Sequence, residues 1–316
     1  MASIKAPSLS VIVPVYNEES NLFEFHNRLI ECLNLITENF EVLYSLDPSS
    51  DKSETILTNF SKNDSRIKLI RFSRRFGQPA ATMAGLFFSR GFRSVVIDAD
   101  LQDPPEVIIE LNSKMDEGYD VVYATRKNRE GETLLKRIVS KFGYKVINRL
   151  TEIKIPENTG DFRIMSRRVV DEILKLQEQH GFLRGLVSFV GFKQCSIEYA
   201  RDKRFAGTGK YNKYVGSLRI GLNGLISFSA KPLNYMSAVG GFVSLCSFVV
   251  GLWYLLQNLL GMNITPGLST TVILLSFYAG IQLLSLGLLG EYVSRIYDEV
   301  KGRPMFIVEK KINLDD

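Results

Sequence analysis

The sequence predicts an α/β domain built on a mostly parallel sheet, followed by two C-terminal transmembrane helices. Three observations carry that expectation. Short apolar runs alternate with helical periodicity over the first half of the 316 residues, as in strands joined by crossover helices. Three of the early strands end in polar, carboxylate-bearing clusters. From Pro232 to Gly290 there is no Asp, Glu, Lys, Arg or His, although a soluble surface needs charge.

The apolar run Leu9–Val15, ended by Pro14 and Asn17, reads as a buried strand. Helical periodicity follows over Glu18–Leu35. Phe40–Leu46, Ile67–Phe72 and Ser94–Ile97 read as the second, third and fourth strands, with helices near Asp51–Ser61 and Gln78–Phe88 between them. A helix is expected over Pro104–Glu117, because proline at the first turn sacrifices no hydrogen bond. Tyr119–Thr125 reads as a further strand. The pattern then loosens, with helices near Thr133–Leu150 and Arg167–Gln177 and an edge strand at Ser196–Ala200. Gly216–Phe228 mixes apolar residues with Gly, Ser and Asn around one charge, Arg219. It reads either as a helix lying in a membrane interface or as an ordinary packed helix.

A bilayer core about 30 Å thick takes roughly 20 apolar residues per helix. The charge-free run holds two such stretches, Tyr235–Gln257 and Leu268–Gly290, around a turn-rich connector at 258–267. The domains expected are therefore 1–211, a cytoplasmic α/β unit; 212–231, an interfacial region; 232–290, two spans; and 291–316, a cytoplasmic tail. Arg219 and Lys231 precede the first span, and Arg295, Lys301, Arg303, Lys310 and Lys311 follow the second. The connector has no positive charge. The positive-inside rule then puts both flanks, and both termini, in the cytoplasm. No apolar signal segment opens the chain. Net charge is +5, and beside membrane spans an anionic lipid surface explains that balance more simply than nucleic acid. Cys32, Cys195 and Cys246 are isolated, with neither a disulfide framework nor a zinc spacing.

Ligands of open parallel sheets bind beyond the carboxyl ends of the strands. Three polar clusters fall there: Pro14-Val-Tyr-Asn-Glu-Glu19, Asp47-Pro-Ser-Ser-Asp51 and Asp98-Ala-Asp-Leu-Gln-Asp-Pro-Pro-Glu106. No glycine-rich phosphate loop follows the first strand, so phosphates must be held otherwise. Asp98 and Asp100, one residue apart at a strand end, can share a hard cation that bridges a diphosphate.

Ser10-Val-Ile-Val-Pro-Val-Tyr-Asn-Glu-Glu19 resembles the opening of the family 2 glycosyltransferases. Asp98–Glu106 resembles the metal motif of that family's polyprenyl-phosphate branch. The likeness continues through Phe72-Ser-Arg-Arg-Phe-Gly77, Gly118-Tyr-Asp-Val-Val-Tyr123, Gly160-Asp-Phe-Arg-Ile-Met165 and Arg204-Phe-Ala-Gly-Thr-Gly-Lys-Tyr211, in order, before the spans. The layout is similar to dolichol-phosphate mannose synthases and, more closely, bactoprenol glucosyltransferases.

The resemblance implies a nucleotide-binding GT-A fold, Mg2+ or Mn2+, and inversion at the anomeric carbon. By position it implies Asp98, Asp100 and Gln102 as the metal shell, and Pro14, Tyr16, Glu18 and Asp47 as the pocket for base and ribose. Arg126 and Arg137 become candidates for the acceptor phosphate. Arg201, Arg204 and Lys210 become candidates for closing over the donor diphosphate. Gly207 and Gly209 suit that closure, because they make the basic segment mobile. The family's two adjacent Asp followed by Gly-Ser are replaced here by Leu46-Asp47-Pro48-Ser49, which leaves the base, uracil or guanine, open. Glucose from UDP-glucose is the expected donor, with mannose from GDP-mannose or a modified pentose as alternatives. A homo-oligomer is expected, a tetramer among its forms.

A phosphate monoester with a second pKa near ~6 is largely ionised at pH 7. As a nucleophile it needs no strong general base, so His26 and His180 read as structural. Asp161 reads either as an orienting group for acceptor or sugar, or as a buried loop cap. The spans hold no ionisable group, which argues against a proton or ion path and against a transporter. A processive polysaccharide synthase would carry Gln-x-x-Arg-Trp, whereas the single Trp253 lies in a span. A non-catalytic scaffold or nucleotide-sugar sensor is disfavoured by the intact Asp98, Asp100 and basic segment.

Overall fold

The computed structural model describes residues 6–127, 159–176, 178, 183–201, 226, 229–260 and 267–314. The helix expected over 133–150 lies outside them, as do Arg137, Arg204, Lys210 and, but for one residue, the segment 216–228.

Among the described residues eight strands form one sheet, in the order β7-β5-β6-β4-β1-β2-β3-β8. Its centre is parallel, with β4 (Arg93–Val96), β1 (Leu9–Val15), β2 (Phe40–Leu46) and β3 (Ile67–Phe72) side by side. All seven residues of β2 are buried, Glu41 and Ser45 included, as in a strand covered on both faces. Alternate side chains feed two helical layers. Val11 and Val13 join Leu22, Phe25 and Leu29 of α1 (Glu19–Ile36), Leu57 of α2 (Ser53–Asn63) and Leu111 of α4 (Val107–Asp116). On the other face Ile12 packs with Met83 and Leu86 of α3 (Gln78–Phe88), with Val169 of α5 (Arg167–Lys175) and with Leu186 of α6 (Leu183–Val190). Gly85 lets α3 approach closely: a Cβ there would stand 2.3 Å from Ile12 Cγ2.

β1, β2, β3 and α3 have the expected bounds. α4 begins three residues later than expected, since Pro105 drives Pro104 out of the helical region and 104–106 instead form a turn. Three elements were not expected. β6 (Thr159–Ser166) lies antiparallel between β4 and β5 (Val121–Arg126). α6 is short. β8 (Val308–Ile312) pairs antiparallel with β3, so a segment beyond the two long helices forms one edge of the sheet. Asn313 Nδ2 donates to Ile67 O (2.9 Å) and Ser61 O (2.5 Å), Arg71 pairs with Glu309, and Phe306 packs on Phe72. The expected edge strand is β7 (Gln194–Tyr199), parallel to β5.

Two long helices precede β8: α7 (Lys231–Leu259) and α8 (Leu268–Lys301). Among the described residues one segment, Lys231–Trp253 in α7, is long and apolar enough to cross a membrane, with a mean hydropathy of 1.8. Tyr292 Oη of α8 donates to Ser229 O (2.6 Å) at the foot of α7. Gly302, left-handed at φ +56°, ends α8 as such a cap should.

Candidate active site

The carboxyl ends of β1, β2 and β4 converge, as a parallel sheet requires. The loops after β1 and β2 are laced together. Ser49 Oγ accepts from Asn17 N (3.0 Å), Asn17 Oδ1 from Ser50 N (2.8 Å), and Ser53 Oγ from Glu18 N (3.0 Å). Asn17 sits at φ +52°, a left-handed conformation that Asn tolerates. Leu46 is fully buried, so the carboxylate the family has there is replaced by core.

Asp47 is buried too, and both its oxygens are engaged. Oδ1 accepts from Phe76 N and Oδ2 from Gly77 N, each at 2.9 Å. Its carboxylate thus clamps the turn into α3, where Gly77 adopts φ +91°. The Arg75 guanidinium lies 3.9 Å over the Tyr16 ring, within cation–π range. Pro14 is the next-to-last residue of β1, in register with Ser45 of β2.

Asp98 follows β4, and its Oδ1 accepts from Gln78 Nε2 (2.8 Å). Asp100 Oδ1 accepts from the backbone of Gln102 (3.1 Å). The loop between them places Leu101 at φ +59°, strained for a branched side chain, and such outliers cluster at functional sites. Burial, then the charges of Asp161, Asp103 and Asp100, push the Asp98 carboxyl up to about 8, with Arg201 opposing.

Arginines balance these acids. Arg201 Nε donates to Asp103 Oδ1 (3.2 Å), which also accepts from Tyr199 Oη. Burial and the adjacent Asp103 raise the Tyr199 phenol, so it stays a donor. Arg184 Nε donates to Asp161 Oδ1 (2.8 Å). Burial works against ionised Asp161, but Arg184, Arg163 and Arg126 outweigh it and hold the carboxyl below its ordinary value. Arg163 is enclosed, donating to Gly160 O (2.9 Å), and burial lowers it to about 10. Arg126 reaches Tyr199 Oη at 3.5 Å. Gly160 makes room for it: a Cβ there would stand 3.1 Å from Arg126 Nη2.

Of the expected site residues, the structure thus brings Asp98, Asp100, Asp161, Arg126 and Arg201 into one neighbourhood. Pro14, Tyr16, Glu18 and Asp47 form the adjoining wall. Gln102 contributes a backbone N–H to Asp100, and its carboxamide makes no hydrogen bond among the described residues. Asp103, Gln78, Arg163, Arg184 and Tyr199 were not singled out. Asp103 and Arg163 lie inside the motifs at 98–106 and 160–165, which could have flagged them. His26 is structural. It stacks on Phe60 at 4.0 Å, meets Tyr44 Oη at 3.0 Å, and burial lowers it to about 4. His180 lies outside the described residues.

Among the described residues no three His, Cys, Asp or Glu side chains converge as a closed metal cage. The Asp98–Asp100 pair fits a different kind of site. Hard divalent cations keep open positions for water and phosphate oxygens, and a half-buried carboxylate crowded by other acids, such as Asp98, gains most from a positive partner.

Residues 10–174 match the model of glycosyl transferase family 2. The chain belongs to that family. It is a glycosyltransferase, and its mostly parallel α/β sheet is GT-A-like. It is similar over nearly its whole length to curated relatives. An uncharacterized glycosyltransferase of Bacillus subtilis, YkcC, is 44% identical over 97% of this chain and 95% of its own. The SfII prophage-derived bactoprenol glucosyl transferase of Shigella flexneri is 38% identical over 96% and 97%. Among solved structures, glucosyl-3-phosphoglycerate synthase of Mycobacterium tuberculosis, in complex with Mn2+, UDP and glucosyl-3-phosphoglycerate, aligns at a TM-score of 0.47 and 14% identity. That alignment covers 70% of this chain and 78% of the other.

Proposed function

We propose that this glycosyltransferase moves a hexose, glucose from UDP-glucose, onto a polyprenyl phosphate at the cytoplasmic face of a membrane. One observation carries the reading. An Asp98–Asp100 pair, half-buried and buried in turn, with Arg126 and Arg201 in the same neighbourhood, shares a chain with the apolar helix α7, and that chain is similar over nearly its whole length to proteins named bactoprenol glucosyl transferases. The return of β8 to the sheet supports placing the α/β unit and the C-terminus on the same side of the membrane. α8 serves as the second span, and a homo-oligomer accords with the small residues of both helices.

In this reading the laced loops after β1 and β2 hold the nucleotide, with Tyr16 against the base and Glu18 near the ribose. Asp47 acts by fixing the 76–77 turn of the same pocket. Asp98 and Asp100, with Gln102 nearby, would hold Mg2+ or Mn2+, which when bound neutralises charge on the departing diphosphate. Arg201, with Arg204 and Lys210, attracts the donor's phosphates. Arg126, with Arg137, binds the acceptor phosphate through a fork that matches its oxygens. One acceptor oxygen, already ionised, attacks the anomeric carbon as the bond to the nucleotide breaks, inverting that carbon. Catalysis then rests on positioning and charge, and no histidine is needed.

The test is a donor screen. Full-length protein in detergent is given undecaprenyl phosphate, a divalent cation and one nucleotide sugar at a time, and the lipid phase is analysed by mass spectrometry. A hexosyl-phosphoprenol from UDP-glucose supports the reading. A hexosyl lipid from GDP-mannose alone replaces the donor. A folded protein that glycosylates no lipid overturns it in favour of a sensor or scaffold.

A further inference from the structure

β4 and β6 run antiparallel with Val96 opposite Arg163. Past the end of β4, Asp98 comes within reach of Asp161 of β6, whose charge acts on it. Like charges repel, so Asp161 needs a partner of its own. The strands do not supply it at the side chain: Arg163 Nε donates to the Asp161 backbone oxygen (3.3 Å). The side chain is met from outside the sheet. Arg184, in the first turn of α6, places Nε 2.8 Å from Asp161 Oδ1. Among the described residues no hydrogen bond reaches Oδ2. The pair is not sealed, with side-chain exposures of 22% for Arg184 and 29% for Asp161.

A carboxylate oxygen held in that way can only accept hydrogen bonds. Asp98, Asp100 and Asp103 lie close by, and an oxygen that can only accept offers an ionised phosphate nothing. A neutral, hydroxyl-bearing group can donate to it. We propose that Arg184 is a positioning residue, holding Asp161 so that its free oxygen accepts a hydroxyl of the donor's sugar ring. This rests on the reading that the site takes a nucleotide sugar, and it makes α6, remote from every strand-end cluster in the sequence, part of sugar recognition.

The test compares a nucleotide sugar with its bare nucleotide by calorimetry, using full-length protein in detergent with Mg2+. The pairs are UDP-glucose against UDP and GDP-mannose against GDP. For the pair that wild type binds, Arg184→Gln should weaken the nucleotide sugar about tenfold and leave the bare nucleotide within about twofold. Arg184→Lys should recover most of the loss. Asp161→Asn should weaken the sugar similarly, and the double variant should be no worse than Asp161→Asn alone, since contacting partners are not additive. An unchanged sugar-to-nucleotide ratio in Arg184→Gln, additive losses, or equal weakening of both ligands would overturn the assignment. Wild type that glycosylates lipid while Arg184→Gln keeps that ratio removes this inference alone. Wild type that binds neither nucleotide sugar removes this inference and the proposed function together.

Discussion

Asp98→Asn should stabilise the metal-free protein while abolishing transfer. A carboxyl held at about 8, against an ordinary 3.8, keeps its proton in the fold at pH 7 and loses it on unfolding. The sign follows from proton counts. Between those values the unfolded state binds fewer protons than the native state, so stability falls as pH rises. The penalty is absent near pH 4, grows through pH 5–7 and levels off above about pH 8. At pH 7 the gap amounts to at most about 4 kcal/mol. Relaxation and screening at the carboxyl's accessible edge bring a working figure to about 2 kcal/mol. Asn keeps an oxygen for the Gln78 bond, so the substitution removes the charge and little else. The assay is urea unfolding in EDTA at pH 5 and pH 7.5. Wild type should lose stability between the two, whereas Asp98→Asn should lose far less and be the more stable protein at pH 7.5. Added Mg2+ with UDP should reverse that order. A variant equally or less stable than wild type in EDTA at pH 7.5 would refute the electrostatic picture of the site.

Other predictions concern what holds the site in place. Asp47→Ala leaves the N–H groups of Phe76 and Gly77 without acceptors. It should cost about 2–4 kcal/mol and weaken nucleotide binding at least tenfold, read by urea melts and calorimetry. Lys68 neutralises buried Glu41 at 2.5 Å. Lys68→Met should therefore cost about 3 kcal/mol with nucleotide affinity unchanged, and a loss below about 1 kcal/mol would mean that Glu41 is otherwise satisfied. Deleting 303–316 uncovers the β3 edge. Since open edges pair with other chains, the shortened protein should self-associate on size-exclusion chromatography, and adding a 303–314 peptide should suppress this.

Much of the sheet was legible because its central strands are short, mostly apolar runs ended by turn residues, although Glu41 and Ser45 interrupt β2 and Lys68 and Arg71 interrupt β3. The long apolar segment that becomes α7 and α8 was legible by its missing charges. β6 was hidden because Arg163 stands in the middle of it, a charge whose burial only the neighbouring acids and carbonyls explain. β8 was hidden for the opposite reason. Val308–Ile312 carries Glu309, Lys310 and Lys311, the charged dress of an edge strand. The Asp98–Asp100 pair stood out in the sequence through its spacing and its place after a strand. Asp103, Tyr199 and Arg184 did not, because their contacts join residues 23 to 98 positions apart. Long-range partners of that kind leave no local pattern.

The most direct test of the central claim is a time course of label from UDP-[14C]glucose into the butanol phase. Purified full-length protein is given Mn2+ with and without undecaprenyl phosphate, beside Asp100→Ala. The predicted result is lipid-dependent transfer by wild type and a loss of at least a hundredfold in Asp100→Ala, with the variant's thermal melt unchanged. Label that enters no lipid, or transfer that survives Asp100→Ala undiminished, would contradict a metal-assisted hexosyl transfer to polyprenyl phosphate at this site.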